Sequence, residues 1–348
     1  MQIYHRKIIG CMWPPLSPCN VLPVCNWQGP RGSSVLGQCV RRGKVPAPAG
    51  CKPAARWGTP KIIAALLLAL LLSPGFSRAA ETSVFKPDRV LTYKTAGDVT
   101  LKLHVFEPAG LKTNEQRPAI VLFFGGGWNS GDARQFYQQA RALADQGMVA
   151  FSADYRVKSR NQTTPFECVK DAKSAIRWVR AHAAELGVDP NRIVASGGSA
   201  GGHLAACTGV IAGSEEAGEN LKISSRPNAM ILFNPVVDTT EKGFGAALFK
   251  PEQQTELSPC HQVRKGIAPT IVFHGTADKT VPFENAERFA KLMKETGNDC
   301  VLVPFEGKGH GFFNGTFFRP KGDGADYDLT MKRSVEFLTA HGFLPVTK

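Results

Sequence analysis

The sequence feature that most constrains the fold is the run Gly-Gly-Ser-Ala-Gly-Gly at residues 197–202. Residues 192–196 before it predict a short buried strand, and residues 203–207 after it predict the start of a helix. A strand that turns directly into a helix leaves room only for small residues around Ser199. Such a turn lifts the serine hydroxyl above the edge of a sheet and aims the first N–H groups of the helix at the same space. An ordinary Gly-Ser loop is the alternative.

Apolar runs alternate with amphipathic segments from Arg89 to the C-terminus. Short apolar runs predict buried strands, and longer stretches with a helical apolar period predict helices. An alternation of strands and helices predicts a mostly parallel central sheet with helices on both faces. The stretch 239–267 is the one sizeable insertion and predicts a short cap. The predicted strands are 101–105, 119–123, 149–153, 192–196, 229–233, 270–274 and 300–305, and the predicted helices are 133–146, 171–186, 284–296 and 327–341.

The positive charge of the chain is concentrated near its N-terminus. The chain carries +13 overall, and residues 1–80 contain ten Lys or Arg and no Asp or Glu. The remaining residues, 81–348, therefore carry a net charge of only +3. A nearly neutral body gives no indication of a nucleic-acid partner, and no stable membrane partner is expected.

Residues 61–80 have the pattern of a secretory signal peptide. Lys61 precedes an apolar run of eleven residues, which a Ser-Pro-Gly breaker and small residues follow. The run is too short to span a bilayer with ease, although an uncleaved membrane anchor is the alternative. Cleavage near Ala79 or Ala80 is expected, which predicts export to the periplasm or the extracellular space.

Residues 1–60 show neither a helical nor a strand period and are rich in Pro, Gly, Arg and Cys. They predict a disordered leader or an over-extended translation start. A small zinc or disulfide module is the alternative, but the segment has no C-x-x-C pair and no His cluster. The catalytic domain is expected at 81–348. The sequence does not choose among the disulfide pairings open to the four cysteines of this domain, which are Cys168, Cys207, Cys260 and Cys300.

Three residues in the order Ser, Asp, His indicate nucleophilic catalysis. Acyl transfer by a serine needs a base that takes the hydroxyl proton and an acid that orients the base. Asp278 follows the strand 270–274 and lies at the expected ligand-binding edge of the sheet. His310 is flanked by glycines between the last strand and the last helix. We therefore predict Ser199 as nucleophile, His310 as base and Asp278 as the acid.

Other residues could fill these positions. Asp238 is the alternative acid, because it also follows a predicted strand, but it could equally cap the insertion that follows. His274 is expected to brace the loop that carries Asp278. His203 lies one helical turn beyond Ser199 and is expected to pack rather than to react.

A second glycine run, Gly125-Gly126-Gly127, follows the strand 119–123. Glycine lets a backbone N–H face a substrate oxygen with no side chain in the way. Together with the N–H of Ala200, the run predicts an oxyanion hole. A phosphate-binding loop is the alternative, but no Lys-Ser/Thr pair and no G-x-G-x-x-G spacing is present. Trp128, the next residue, either offers an aromatic wall to a sugar or phenolic ring or packs the loop.

These motifs together resemble the secreted bacterial esterases of the hormone-sensitive-lipase-like branch of the α/β-hydrolases, close to those called feruloyl- or acetylxylan-esterase-like. The resemblance covers about three quarters of the chain, from about Arg89 onwards. The matching motifs are Phe-Phe-Gly-Gly-Gly-Trp at 123–128, Ala-Asp-Tyr-Arg at 153–156, the serine motif at 197–202, His-Gly-Thr-Ala-Asp at 274–278 and Gly-His-Gly-Phe at 309–312. Phe124 stands where that branch has a histidine that orients the glycine loop.

The resemblance implies an α/β-hydrolase fold and a serine carboxylic-ester hydrolase that forms an acyl-enzyme intermediate. The expected substrate is a short-acyl, small or polysaccharide-linked ester, and no cofactor or metal is expected. Two alternatives remain open. One is a serine peptidase of the prolyl-oligopeptidase type, and the other is a non-catalytic protein with the hydrolase fold. The sequence does not fix the oligomeric state.

Overall fold

The structure is a computed structural model that describes residues 85–112, 114–322 and 324–346. The predicted leader at 1–60 and the predicted signal peptide at 61–80 lie outside the described residues, so export stays a prediction. Within the described ranges, no helix is both long enough and apolar enough to cross a membrane.

One eight-stranded sheet forms the centre of the described part of the chain. Its order in space is β1-β2-β4-β3-β5-β6-β7-β8. The pairs β1–β2 and β2–β4 are antiparallel, and every other neighbouring pair is parallel. The predicted mostly parallel sheet is therefore confirmed. In chain order the strands are β1 (Arg89–Ala96), β2 (Val99–Phe106), β3 (Arg117–Phe123), β4 (Val149–Ala153), β5 (Val188–Gly198), β6 (Ala229–Phe233), β7 (Thr270–Gly275) and β8 (Cys300–Phe305).

Helices cover both faces of this sheet and bury one hydrophobic core on each side. Successive strand residues point to opposite faces, so Val121 lies in one core and Ile120 and Leu122 lie in the other. The α-helices are α1 (Tyr137–Asp145), α2 (Lys158–Asn161), α3 (Pro165–Ala181), α4 (Ala200–Val210), α5 (Pro259–Gln262), α6 (Phe283–Glu295) and α7 (Gly324–Ala340). The first core contains α3, α4 and α6, and the second contains α1 and α7.

The predicted boundaries of α3 were wrong by several residues. The helix begins at Pro165 and ends at Ala181, whereas the sequence pattern predicted 171–186. Its start is fixed by a capping box, in which Thr164 accepts from the Phe166 N–H and the Glu167 carboxylate accepts from the Thr164 N–H. The apolar period alone missed these polar first-turn residues.

The insertion between β6 and β7 forms a short cap. It consists of two 3₁₀ turns, Ala246–Leu248 and Pro251–Gln253, and the single-turn helix α5. Because it follows the carboxyl end of a parallel strand, the cap lies at the edge of the sheet where ligands bind in α/β proteins. Its charged residues Glu241, Lys242, Lys250, Glu252 and Glu256 are exposed.

Candidate active site

The turn between β5 and α4 holds Ser199 in a strained conformation. Its φ of 56° and ψ of −121° are rare for a residue with a side chain, and such strain persists where the surrounding structure enforces it. The Ser199 N–H donates to the Phe233 carbonyl at 2.9 Å, which ties the turn to β6. A Cβ on Gly201 would overlap the carbonyl oxygen of Phe123. Only glycine therefore allows α4 to pack this closely on β3.

The fold brings together the three residues predicted as a catalytic triad. The His310 Nε2 lies 2.9 Å from the Ser199 Oγ, and its Nδ1 lies 2.7 Å from the Asp278 Oδ2. An ionised carboxylate can only accept, so the Nδ1 must carry the proton and the Nε2 must accept from the serine hydroxyl. This is the tautomer that a histidine needs in order to act as a base toward Ser199.

Asp278 is held in its ionised form. Burial raises the pKa of this carboxyl, but hydrogen bonds from His274, His310 and the Val281 N–H outweigh burial and hold the pKa well below its usual range. The Asp278 side chain is fully buried, and its carboxylate also accepts from the Thr280 N–H at 2.8 Å. A negative charge fixed beside the His310 Nδ1 stabilises the imidazolium that forms when the base takes a proton.

The alternative acid, Asp238, lies elsewhere. Its carboxylate accepts from Arg288 at 2.7 Å and from the N–H and hydroxyl of Thr240. These contacts cap the start of the insertion, which is the structural role that the sequence allowed for it. His274 contacts Val281 O at 3.0 Å and Asp278 Oδ2 at 3.4 Å. It therefore braces the loop of Asp278, as expected.

The glycine run at 125–127 faces Ser199 in a catalytic cleft of about 440 Å³. The Gly125 N–H donates to the Gln135 Oε1 at 2.6 Å, so it is not available to a substrate oxygen. The N–H groups of Gly126, Gly127 and Ala200 donate to no protein acceptor within the described ranges. The predicted oxyanion hole is thus corrected in one position, because Gly125 anchors the loop and the other three N–H groups remain free.

A network of amide side chains, which the sequence analysis missed, joins the glycine loop to the loop of His310. Gln135 Nε2 donates to Asn314 Oδ1 at 2.9 Å, and Asn314 Nδ2 donates to the Gly311 carbonyl at 2.8 Å. The Gly311 N–H donates in turn to Asn234 Oδ1 at 3.2 Å. Gln135 and Asn314 are 9% and 5% exposed, which makes these amides part of the buried framework of the site.

The side chain of Phe124 contributes packing rather than a hydrogen bond. Its ring stacks on Tyr155 with centroids 4.0 Å apart, and the Tyr155 hydroxyl donates to the Phe124 carbonyl at 2.7 Å. With phenylalanine at this position, the side-chain hydrogen bond to the glycine loop comes from Gln135.

Trp128 is buried, with only 1% of its surface exposed. Its indole Nε1 donates to His203 Nδ1 at 3.2 Å, and its ring packs on Phe244 and Phe249. A sugar ring has no free indole face to stack on, so the packing interpretation of Trp128 is the one that the structure supports. His203 also packs, and its Nε2 donates to the Leu257 carbonyl at 2.7 Å. It therefore connects α4, the glycine loop and the cap.

His203 predicts a pH dependence of stability. Burial lowers the pKa of its imidazole to about 4, from an ordinary value of 6.5. The unfolded state binds more protons than the folded state between these values, so stability falls as the pH falls from 6.5 toward 4. In full, this difference in pKa lowers the free energy of unfolding by about 3 kcal/mol at acid pH.

Urea unfolding between pH 4.5 and 7 measures this effect. We expect His203→Gln to flatten the slope of unfolding free energy against pH, whatever its effect on stability at pH 7. His182→Gln, which replaces a half-exposed imidazole, is the matched control and should keep the wild-type slope. Equal slopes in the wild type and in His203→Gln would contradict a buried, neutral His203.

Four cysteines lie in the described part of the chain, and all four are free thiols. Cys168, Cys207, Cys260 and Cys300 are buried and form no disulfide. Burial raises the pKa of the Cys260 and Cys300 thiols to about 12, which leaves them unreactive at neutral pH. Within the described ranges, no cluster of three or more His, Cys, Asp or Glu is arranged to hold a metal ion.

Comparison with known proteins finds relatives that are named esterases. The BD-FAE family profile matches residues 103–293. The chain is 29% identical over 281 residues to a probable isoprenylcysteine α-carbonyl methylesterase of Arabidopsis thaliana, covering 73% of this chain and 57% of the relative. It is 29% identical over 222 residues to an acetylxylan esterase of Xylanibacter ruminicola, covering 60% of this chain and 44% of the relative. The chain thus spans about half the length of these two curated relatives.

Solved structures are more similar. The chain is 49% identical to Thermogutta terrifontis esterase 2 in its propionate-bound form, with a TM-score of 0.71. The match covers 76% of this chain and 98% of that chain. The same esterase has also been solved with butyrate bound and after phosphorylation by paraoxon. Neither these structures nor the two curated relatives are named as peptidases, so the peptidase alternative is not favoured.

Proposed function

The chain belongs to the BD-FAE family and has the fold of the α/β-hydrolase esterases, and on that premise we propose that it is a serine carboxylesterase. The observation that carries the proposal is the continuous hydrogen-bonded relay from Ser199 through His310 to Asp278. A non-catalytic protein with this fold has no need to keep these three side chains within hydrogen-bond distance of one another.

Acylation follows from this geometry. The Ser199 Oγ attacks the ester carbonyl carbon while His310 Nε2 takes the hydroxyl proton. The carbonyl oxygen becomes an oxyanion, which the N–H groups of Gly126, Gly127 and Ala200 stabilise. His310 then gives its proton to the departing alcohol oxygen, and an acyl group remains on Ser199.

Deacylation uses the same groups in a second cycle. A water molecule donates its proton to His310 Nε2 and attacks the acyl carbon, and the same three N–H groups donate hydrogen bonds to the new oxyanion. Collapse of this intermediate returns the proton to the Ser199 Oγ and releases the carboxylic acid. Asp278 stays ionised throughout and keeps the imidazole in its reactive orientation.

The proposed substrate is an ester with a short acyl group on a bulky or sugar-like alcohol. The cap is small and its surface is dotted with charged residues, whereas lipases for long chains cover their site with a broad apolar lid. Two comparisons support a short acyl group. One relative is named an acetylxylan esterase, and the esterase of known structure has been solved with propionate and with butyrate.

Rates on p-nitrophenyl acetate, butyrate and palmitate test this substrate class. We expect kcat/KM to be highest for acetate or butyrate and to fall by at least about 100-fold for palmitate, because a short cleft cannot bury the longer chain. Rates of hydrolysis of acetylated xylan and of a peptide amide are then compared, in order to separate activity on a sugar ester from peptidase activity. Activity that rises toward palmitate, with a jump at an oil–water interface, would instead make the protein a lipase.

A further inference from the structure

A second cavity lies beside the catalytic cleft. The cleft contains both Ser199 and His310, whereas neither residue lines the second cavity. The second cavity is the larger of the two, at about 560 Å³ against about 440 Å³. Gly127 lines both spaces. The boundary between them therefore runs past the oxyanion loop, which lines the same cleft as Ser199.

The ring of Phe244 stands on the cleft side of this boundary. Phe244 lines the cleft only, whereas Trp128 and Leu248 line the second cavity only. The ring lies 4.0 Å from the position that a Cβ on Gly127 would take, and its centroid lies 5.9 Å from that of the Trp128 indole. The ring thus lies on the cleft side of Trp128 and next to Gly127, the residue that lines both spaces.

A hydrogen bond and a close contact at the neighbouring residue fix the backbone at Phe244. Its N–H donates to the Asp238 carbonyl at 3.0 Å, and the Asp238 carboxylate is held by Arg288 at 2.7 Å. At the next position, Gly245 has a φ of +86°, and a Cβ there would lie 2.8 Å from the Trp128 ring. The ring is therefore held in place by the segment after β6 that contains Asp238 and by the packing of Trp128 under the cap.

The direction in which Phe244 lies from Ser199 identifies the part of the ester that it meets. The departing alcohol oxygen must face His310, which gives it a proton. Arg319 bonds the carbonyls of His310 and Gly311, so the segment around Arg319 lines the His310 end of the cleft. With the alcohol oxygen at His310, the part of the cleft that Gly127 and Phe244 line is left for the acyl substituent.

We propose that Phe244 limits the length of the acyl group by closing the cleft toward the second cavity. The proposal rests on the ester hydrolysis proposed above and names the residue that decides its acyl specificity. Without the ring, a chain of six to eight carbons would pass Gly127 and lie against Leu248 and Pro165, which line the second cavity. The Thr163 hydroxyl, which also lines this cavity, is buried and has no hydrogen-bond partner within the described residues. This hydroxyl is placed to form a hydrogen bond with a polar group on the acyl chain of a substrate.

The test compares the wild type with Phe244→Ala on p-nitrophenyl acetate, butyrate, hexanoate and octanoate. We expect Phe244→Ala to raise the ratio of kcat/KM for octanoate to kcat/KM for acetate by about 10- to 100-fold, because each added methylene gains a place out of water. Phe244→Trp should shift the preference toward acetate. A second series consists of acetate esters with larger alcohols. Their order of kcat/KM should be the same in Phe244→Ala as in the wild type.

Phe249→Ala is the matched control. It removes a second aromatic ring that packs on Trp128 from the same cap, but Phe249 lines neither space. This variant should keep the wild-type octanoate-to-acetate ratio even if its melting temperature falls. For variants with low turnover, rates of inactivation by p-nitrophenyl alkylphosphonates of the same chain lengths give the same profile.

The outcomes separate this proposal from the proposed function. A wild type that hydrolyses none of the esters overturns both. A wild type active on acetate whose Phe244→Ala variant keeps the wild-type acyl profile overturns only the role of Phe244. A changed alcohol profile with an unchanged acyl profile also overturns it, because the second cavity would then lie on the leaving-group side. An equal shift in Phe249→Ala would show that a loosened cap, not the ring, controls acyl length.

Discussion

Ser199→Ala is expected to lower kcat on p-nitrophenyl acetate by about 10⁵- to 10⁶-fold, because it removes the nucleophile on which both half-reactions depend. His310→Ala should lose about as much, and Asp278→Asn about 10⁴-fold, because an amide cannot hold the required histidine tautomer. The double variant Ser199→Ala/His310→Ala should be hardly worse than either single variant, since the residues act as one unit. Steady-state kinetics on correctly folded variants, checked by circular dichroism, measure these losses.

Asp238→Asn is the matched control for the acid. Both aspartates follow the carboxyl end of a strand, but only Asp278 contacts His310 in the structure. Asp238→Asn should lower the melting temperature, because it loses the ion pair with Arg288, and should leave kcat nearly unchanged. A dead Asp238→Asn beside an active Asp278→Asn would move the acid to Asp238.

The sequence predicted the parts of the site that depend on neighbouring residues. β6 has the predicted bounds, because a buried parallel strand is a continuous apolar run. β8 also has the predicted bounds, although it is an edge strand whose middle residues are partly exposed. The glycines beside Ser199 are visible as a run in the sequence, although most of the contacts that require them are distant. A Cβ would meet Gly201 within the turn at Gly197, but it would meet Phe313 at Gly198, Phe123 at Gly201 and Pro235 at Gly202. The Ser, Asp, His order then placed three loops at one edge of the sheet, where the structure brings them together.

The parts that the sequence did not predict depend on distant contacts. Gln135 and Asn314 are separated by 179 positions, and nothing in the residues around either one indicates the bond between them. The separation of the second cavity from the cleft depends on how the cap lies over the glycine loop, which no periodicity encodes. The oxyanion hole shows both cases. Its glycines were visible in the sequence, but the use of the Gly125 N–H as an anchor depends on Gln135.

The hydrogen bond from the Gly125 N–H to Gln135 predicts a large loss of kcat when Gln135 is replaced, although we do not expect Gln135 to touch the substrate. Gln135 holds the Gly125 N–H at 2.6 Å and also donates to Asn314, so it fixes the oxyanion loop relative to the loop of His310. Gln135→Met has a similar volume but lacks both polar atoms, and it leaves the Gly125 N–H without its acceptor. The oxyanion forms only in the transition state, so a displaced hole should lower kcat and leave KM nearly unchanged.

We expect the loss of kcat in Gln135→Met to approach the value of about 10²- to 10³-fold that removal of one oxyanion donor causes. Gln135→Glu should retain more activity, because its carboxylate still accepts from Gly125 and loses only the bond to Asn314. Gln139→Met is the matched control, since Gln139 lies four residues beyond Gln135, is also buried, and has a side chain whose one hydrogen bond within the described residues goes to the Phe313 carbonyl. If Gln135→Met kept the kcat of Gln139→Met, the glycine loop would hold its shape without Gln135. The replacement of the family histidine by Phe124 would then need another explanation. A loss in kcat without a change in KM, partly restored in Gln135→Glu, would show that the buried Gln135 amide orients the oxyanion hole.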